Sequence, residues 1–189
     1  MLGDLERGAI RRLWERKLRQ DQEPLPNAQR HRNLEPASAE FLCALAAGVG
    51  AKRMLEIGGS SGISTIALAA AARQVGGKLT SIELEPQRQA EARETLRSLH
   101  LDAFVNFVCE DAGRVLSGVG EVDLVFIDCE KQDYIRFFDM LPVAAGGYVV
   151  ADNVLSHALT DYIAHARRRP GAESITLSIG KGLELTRLP

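Results

Sequence analysis

The sequence predicts an α/β fold with a doubly wound, mostly parallel sheet that is closed by a carboxyl-terminal antiparallel hairpin. Short apolar runs alternate with amphipathic segments along most of the chain, which is typical of a parallel sheet with helices on both faces. The run Leu124-Val125-Phe126-Ile127 is apolar without alternation, as expected of a strand covered on both sides. The last two apolar runs are separated by the turn residues Gly180-Lys181-Gly182, which predicts the hairpin.

The elements follow in a regular order after a helical amino-terminal segment. Residues 4–20 predict a charged amphipathic helix that ends near Pro24 and Pro26, and residues 37–47 predict a second helix. We expect an arm or lid at 1–36 and the main domain at 37–189. Seven strands are predicted at 53–57, 79–84, 104–109, 122–128, 147–151, 174–179 and 183–188. The later helices are predicted at 63–73, 86–99, 112–116, 132–141 and 155–168.

Composition and charge narrow the class of protein. At 189 residues and 46% hydrophobic, the chain is long enough for one domain with a sizeable core. Its formal net charge of −2 provides no global field for nucleic acid or anionic lipid, and the amino terminus predicts neither a signal peptide nor a membrane span. Cys43, Cys109 and Cys129 lie far apart in apolar runs, which predicts reduced core thiols in a cytoplasmic protein. We therefore expect a small-molecule partner.

The loop after the first strand is the most informative stretch, and it carries Glu56, Gly58, Ser60 and Gly62. It joins the end of a strand to the start of a helix, where glycines and free amide groups can hold a nucleotide-like ligand. A carboxylate at the start of the loop disfavours a diphosphate and suits the ammonium and sulfonium of S-adenosylmethionine. Glu83 ends the next strand, where a carboxylate can accept both ribose hydroxyls, as it also does in NAD sites. An ordinary tight turn remains the alternative for the glycines.

The predicted strands end in an unusual number of carboxylates. Ligands in such sheets bind at the carboxyl ends of the strands, and so many acids at one edge would repel one another without bound cations. Two carboxylates and one amide oxygen make a hard ligand set for Mg²⁺, with Mn²⁺ or Ca²⁺ as alternatives. Without a cation, the same residues would cap a helix or form a turn. The strand-end residues are Glu56, Glu83, Asp111, Asp128, Asp152 and Asn153.

Three motifs resemble the cation-dependent O-methyltransferase family of caffeoyl-CoA and catechol O-methyltransferases. They are Asp128-Cys129-Glu130-Lys131 followed by Tyr134, then Gly146-Gly147, and then Asp152-Asn153-Val154-Leu155. The resemblance extends from about Phe41 to the closing strand, and it implies the seven-stranded Rossmann-like methyltransferase fold with S-adenosylmethionine as cofactor.

The resemblance also implies roles for individual residues. Asp128, Asp152 and Asn153 correspond to metal ligands, and Lys131 corresponds to the lysine proposed as general base. The predicted cofactor-binding positions are Glu56, Gly58, Ser60, Gly62, Ser64, Glu83, Asp111, Ala112 and Asp128, of which the resemblance implies Ser64, Glu83, Asp111 and Ala112. Glu130 replaces the family's aspartate, and residues 33–40 do not reproduce its Thr-Ser and Glu-Gly-Gln residues, so the acceptor stays open.

Three functions follow as hypotheses. The first is a metal-dependent O-methyltransferase that acts on a small catechol-like or hydroxylated aromatic acceptor, with the first 36 residues influencing specificity. The second keeps the cofactor but methylates nitrogen or a macromolecule, and the third is a non-catalytic cofactor-binding or oligomerisation domain.

Exposed apolar positions on the first helix predict a homodimer, although a lid would have the same pattern. His157 is an alternative base, whereas His31, His100 and His165 lack suggestive companions.

Overall fold

A seven-stranded sheet lies at the centre of the computed structural model, which describes residues 2–23, 33–157 and 159–189. Its strands are β1 (Arg53–Ile57), β2 (Lys78–Glu83), β3 (Val105–Cys109), β4 (Val122–Ile127), β5 (Val143–Ala151), β6 (Glu173–Leu177) and β7 (Leu183–Arg187). The strand order is β3-β2-β1-β4-β5-β7-β6. The first five strands are parallel, and β7 is antiparallel to both β5 and β6. The predicted fold class is confirmed.

Helices cover both faces of the sheet. They are α1 (Asp4–Asp21), α2 (Pro36–Gly48), α3 (Ile63–Val75), α4 (Pro86–Ser98), α5 (Ala112–Val115), α6 (Tyr134–Met140) and α7 (Thr160–Arg168). Short 3₁₀ turns occur at Asp102–Phe104, Leu116–Gly118 and Lys131–Asp133. Within the described ranges, no helix is both long enough and apolar enough to cross a membrane.

The run at the centre of β4 contributes to two separate cores. Leu124 and Phe126 belong to the core on the side of α2 and α3. Val125 and Ile127 belong to the core on the side of α6 and α7. Both faces of β4 are covered, which confirms the prediction made from its uninterrupted apolar run.

The strand order places a topological switch point between β1 and β4. Along the chain, β1 is followed by β2 and β3 on one side, while β4 is followed by β5 on the other. A crevice forms at the carboxyl ends of the two strands where the winding reverses, and ligands of doubly wound sheets bind there. The loop after Ile57 and the loop after Ile127 meet at this point, since the Asp128 N–H donates a 2.9 Å hydrogen bond to the Ile57 carbonyl.

Helix α1 packs on the rest of the chain. Its residues Ala9, Ile10 and Leu13 are buried in the core that α2 and α3 also build. Glu6 is buried and accepts a 2.8 Å hydrogen bond from Arg73 of α3. The predicted helix end near Pro24 and Pro26, and His31, lie outside the described residues.

The structure differs from the sequence predictions in several details, and β5 begins at Val143 instead of 147. The last helix begins at Thr160 instead of 155, because the backbone at Val154 and Leu155 donates hydrogen bonds to the turn before β7. Burial was predicted for all three cysteines, and it is confirmed for Cys43. Cys129 is half-buried, and Cys109 is exposed on β3, so the prediction is wrong for Cys109. Strand β3 lies at the edge of the sheet, so its side chains are less covered than an apolar sequence suggests.

Candidate active site

The loop between β1 and α3 follows a path that only small residues allow. Gly58 has φ +94°, and a Cβ there would collide with the backbone carbonyl of Asp128. Gly62 has φ +107° and precedes the first turn of α3. Ser60 adopts φ +47°, which is uncommon for a residue with a side chain. The loop therefore runs close under the end of β4 and leaves open space above it.

Glu83 is fixed at the end of β2 by this loop. Its Oε2 accepts a 2.7 Å hydrogen bond from the Ser60 amide, and its Oε1 accepts a 2.9 Å bond from the Glu85 amide. The side chain is buried but borders the cavity described below. An oriented carboxylate of this kind can accept hydroxyl groups of a ribose, as the sequence predicts.

Glu56 and Ser64 are placed differently from the expectation. Glu56 is fully buried and turned away from the cavity, where it accepts hydrogen bonds from Thr65 Oγ1 at 2.7 Å and Ser81 Oγ at 2.5 Å. Ser64, in the first turn of α3, is also buried and hydrogen bonds to Glu56. Burial raises the pKa of Glu56, and the three hydroxyls only partly offset that effect. Glu56 thus supports the loop from below, because alternate residues of β1 face opposite sides of the sheet.

A cavity of about 670 Å³ opens at the carboxyl ends of the strands. This volume lies within the range of small-molecule sites and exceeds what one small acceptor would need. Of the predicted site residues, the structure brings Gly58, Ser60, Glu83, Asp111, Ala112, Asp128, Lys131 and Asn153 to its wall. Gly62 lies in the loop beneath it, with its α-carbon facing Ala92 of α4.

Asp128 and Asn153 meet at one corner of the cavity wall, and Asp152 is buried next to them without lining the cavity. The Asn153 amide nitrogen donates hydrogen bonds to Asp128 Oδ1 at 2.9 Å and to Asp152 Oδ2 at 2.8 Å. Asn153 has φ +64°, a strained backbone conformation that aims its side chain between the two acids. Two loops that are 25 residues apart in sequence therefore meet through a single amide group.

The charge at this corner is poorly compensated. Burial and then repulsion from Asp128 raise the pKa of Asp152 to about 7. Asp152 Oδ1 is buried without a hydrogen-bond partner among the described residues. An orphaned carboxylate oxygen beside a second carboxylate and an amide fits a hard, oxygen-binding cation. The described residues contain no group of three or more His, Cys, Asp or Glu side chains suited to a metal, and the set here has two acids and an amide.

Lys131 extends the cluster toward the cavity. Its ammonium donates hydrogen bonds to Asp128 Oδ1 at 2.9 Å and to the Tyr134 hydroxyl at 2.7 Å. The Tyr134 hydroxyl in turn donates to the Asp152 carbonyl at 3.1 Å, and burial raises the pKa of Tyr134 well above its usual range. Tyr134 is therefore a neutral phenol that holds Lys131 in place, a role that the sequence motif did not assign.

Sequence reasoning missed several other residues of the cavity. Lys17 and Asp21 reach it from the last turns of α1, Asn33 borders it before α2, and Lys181 borders it from the hairpin turn. Asn33 accepts a 3.0 Å hydrogen bond from Ser61, but its buried amide nitrogen has no partner within the described ranges. These positions carry no local motif. For Lys17, Asp21 and Asn33, the only signal was the expectation that the first 36 residues influence specificity.

The sheet order, the glycine loop at its switch point and the acid at the end of β2 together define a class I, S-adenosylmethionine-dependent methyltransferase fold. The model of the family described as O-methyltransferase matches residues 14–186. The chain therefore belongs to the O-methyltransferase family, as the resemblance of its motifs implied.

Individual proteins support the same assignment. The chain is 35% identical over 120 residues to the catechol O-methyltransferase of Mycobacterium tuberculosis, which covers 61% of this chain and 54% of that protein. It is 28% identical over 173 residues to Tapetum-specific methyltransferase 1 of Arabidopsis thaliana, covering 78% of this chain and 74% of that protein. The O-methyltransferase of Bacillus cereus in complex with SAH shares the fold, with a TM-score of 0.81 at 21% identity, over 96% of this chain and 91% of that one. The chain thus spans about half of the catechol enzyme and most of the other two.

Proposed function

We propose that the chain transfers the methyl group of S-adenosylmethionine to a hydroxyl of a small catechol-like or hydroxylated aromatic acceptor, with a divalent cation held by Asp128, Asp152 and Asn153. One observation carries this proposal: the half-buried Asp128 on the wall of the cavity and the buried Asp152 converge on the amide of Asn153, with Lys131 beside Asp128. The likeness to a catechol O-methyltransferase supports it.

The residues at the carboxyl ends of β1 and β2 would bind the cofactor. Glu83 has both carboxylate oxygens oriented by backbone amides, so it can accept ribose hydroxyls without losing further freedom. Asp111 and Ala112 line the same part of the cavity. The close approach at Gly58 leaves the cofactor room above the loop.

The residues at the ends of β4 and β5 would bind the acceptor and activate it. A phenol has a reference pKa near 10, so it is mostly neutral and weakly nucleophilic at pH 7. A divalent cation bound by Asp128, Asp152 and Asn153 would supply Lewis-acid polarisation of the acceptor hydroxyl. Mg²⁺ is our choice, because the ligand set contains only oxygens.

Lys131 would handle the proton of the acceptor hydroxyl at its Nζ atom. Its side chain is held by Asp128 on one side and by the neutral Tyr134 hydroxyl on the other, so Nζ has one defined position. As the proposed base, Lys131 would first release one ammonium proton to solvent, and the neutral amine would then take the proton of the acceptor hydroxyl.

Substitution of Asp152 tests the proposal. We expect Asp152→Ala and Asp152→Asn to lower kcat on simple catechols by about 100-fold or more, because even outer partners of a metal site cost 10- to 100-fold. S-adenosylhomocysteine affinity, measured by calorimetry, should change less than about twofold, since Glu83 and the glycine loop remain. The control is Asp161→Ala, which removes an exposed carboxylate in the first turn of α7. Unchanged turnover in both Asp152 variants would contradict the assignment.

A further inference from the structure

A lysine with no assigned role borders the same cavity. Lys181 lies in the turn between β6 and β7 and lines the cavity together with Asn153 and His157. It is half-buried, whereas lysine side chains are mostly exposed unless they are paired. Its ammonium has no hydrogen-bond or ion-pair partner among residues 2–23, 33–157 and 159–189.

Two other lysines of the cavity are already paired. Lys131 donates to Asp128 and Tyr134, and Lys17 forms a 2.5 Å ion pair with Asp21. Lys181 differs from both because its charge is uncompensated by the described part of the chain. A cation in this state is suited to an anion that arrives with a ligand.

The position of Lys181 relative to the acid cluster is fixed by the backbone. The Leu155 and Ser156 amides donate to the Lys181 carbonyl at 3.1 and 3.2 Å, and the Val154 amide donates to the Gly182 carbonyl at 3.1 Å. These three bonds tie the hairpin turn to the residues that directly follow Asn153. Lys181 therefore stays at a constant distance from the cluster, while its flexible side chain can adjust to a ligand.

Acidic and basic side chains occupy different parts of the cavity's surroundings. Asp128 lies on the cavity wall, Asp152 is buried beside it, and Glu35 adds negative charge near Asp152. Glu35 also lies against the hairpin turn, since a Cβ at Gly180 would collide with its carboxylate, but it forms no ion pair with Lys181. With the proposed cation offsetting the charge of Asp128 and Asp152, the hydroxyl of an acceptor would bind at the cluster, and an anionic group elsewhere on the acceptor would be attracted to Lys181. A molecule with a hydroxyl at one end and an anion at the other would be oriented by both effects.

We infer that Lys181 is a specificity-determining residue that binds a carboxylate of the methyl acceptor, and that the acceptors of this chain are hydroxylated aromatic carboxylates. The inference rests on the proposed function, because it assumes that the reacting hydroxyl lies at the acid cluster. It adds the chemical class of the acceptor, which the family and the cluster alone leave open.

Methyl transfer to a matched pair of acceptors tests the inference. 3,4-Dihydroxybenzoate carries the carboxylate, and 3,4-dihydroxybenzamide is its neutral counterpart of similar shape. We expect the wild type to prefer the benzoate, and K181Q to lower kcat/KM for the benzoate about tenfold, the effect of one charge-assisted hydrogen bond, with little change for the benzamide. K181E should lower it further. K52Q is the control, because it removes the same charge from an exposed lysine at the opposite ends of the strands.

A binding measurement separates this inference from the proposed function. The protein saturated with S-adenosylhomocysteine is titrated with each compound by calorimetry, so no turnover is needed. Weaker binding of the benzoate in K181Q, with unchanged S-adenosylhomocysteine affinity, supports the inference even where no methyl transfer occurs and the proposed function fails. Equal benzoate binding in wild type and K181Q, or an equal loss for both compounds, overturns it even where methyl transfer is observed. A loss of S-adenosylhomocysteine affinity in K181Q also overturns it, because Lys181 would then serve the cofactor.

Discussion

Single side chains at the acid cluster combine structural and chemical roles. The Asn153 amide donates to both carboxylates and so partly compensates their charge in the structure. For its oxygen to bind a cation, the amide would turn over, because its nitrogen now faces the acids. Asn tolerates the left-handed backbone at this position better than most residues, which explains why it can point between two strands.

Tyr134 offers a test of how Lys131 is positioned. We expect Tyr134→Phe to lower kcat about tenfold, because Nζ loses one of its two partners while the ring stays in place. The loss of the hydroxyl should also cost about 1 kcal/mol of unfolding free energy. Steady-state kinetics should place the effect in kcat, with the KM for S-adenosylmethionine unchanged.

Tyr162→Phe is the matched control for that variant. Tyr162 is as deeply buried and contacts the Tyr134 ring edge-on at 5.4 Å between centroids, but its hydroxyl has no partner within the described chain. Its removal should leave kcat unchanged and the stability equal or higher. A similar loss of kcat in both variants would mean that the aromatic packing, not the Lys131 contact, sets the rate.

At the scale of elements, a buried acid holds the terminal hairpin against α7. Glu184 of β7 is fully buried, and its Oε1 accepts hydrogen bonds from Arg167 at 3.0 Å and Ser174 at 2.7 Å. Thr176 of β6 also donates to it. Because the network joins β7 to β6 and to α7, it fixes the hairpin that carries Lys181 to the cavity.

Removal of this acid should loosen the hairpin. We expect Glu184→Ala to lower the unfolding free energy by about 2 kcal/mol, because it leaves the half-buried hydroxyls of Ser174 and Thr176 without this acceptor, although the half-exposed Arg167 can be rehydrated. Urea denaturation measures the loss. Glu173→Ala on β6 is the control: its carboxylate is exposed and lies 3.6 Å from Arg187, so the change should stay below about 0.5 kcal/mol. Equal losses in the two variants would refute the role of the buried network.

At the scale of the whole molecule, α1 is joined to the rest of the chain by apolar packing and by ion pairs, one of which links the buried Glu6 to the exposed Arg73. Burial opposes the ionisation of Glu6, but hydrogen bonds from backbone amides and from Arg73 outweigh it and lower its pKa. The same helix brings Lys17 and Asp21 to the cavity. Docking of α1 and the shape of the site are therefore coupled, whether or not the chain forms the predicted homodimer.

The lowered pKa of Glu6 gives stability a defined pH dependence. A carboxyl whose pKa is lower in the folded state stabilises above the unfolded pKa of about 4.5, and this contribution is lost as the pH falls through the folded pKa. We expect Glu6→Gln to cost about 1 kcal/mol at pH 7 and progressively less below pH 4.5. Urea unfolding at pH 7 and pH 3.5 measures the difference. The control is Glu40→Gln, which removes an exposed ion pair with Arg7 at 3.5 Å and should hardly change the unfolding free energy at either pH. A loss of unfolding free energy in Glu6→Gln that is independent of pH would contradict the linkage.

The sequence by itself determined the fold class and the residues at the strand ends, because both depend on local patterns. Both ends of β1 were predicted correctly, because an apolar run between charged and glycine-rich segments has sharp limits. The start of α7 was predicted wrongly, because the Val154 and Leu155 amides donate hydrogen bonds to carbonyls of a hairpin turn more than 25 residues away, which hold these residues outside the helix.

Tertiary structure alone decided which strand-end side chains share the cavity. Glu56 and Asp128 end neighbouring strands and look equivalent in sequence, yet Glu56 pairs in register with Phe126, two residues before Asp128, so Glu56 is buried beneath the loop while Asp128 borders the cavity. Tertiary structure also brought Asn33, Lys17 and Lys181 to one wall from distant parts of the chain. Local patterns fix where a strand ends, but the direction of a side chain and its neighbours depend on register and packing, which no local pattern encodes.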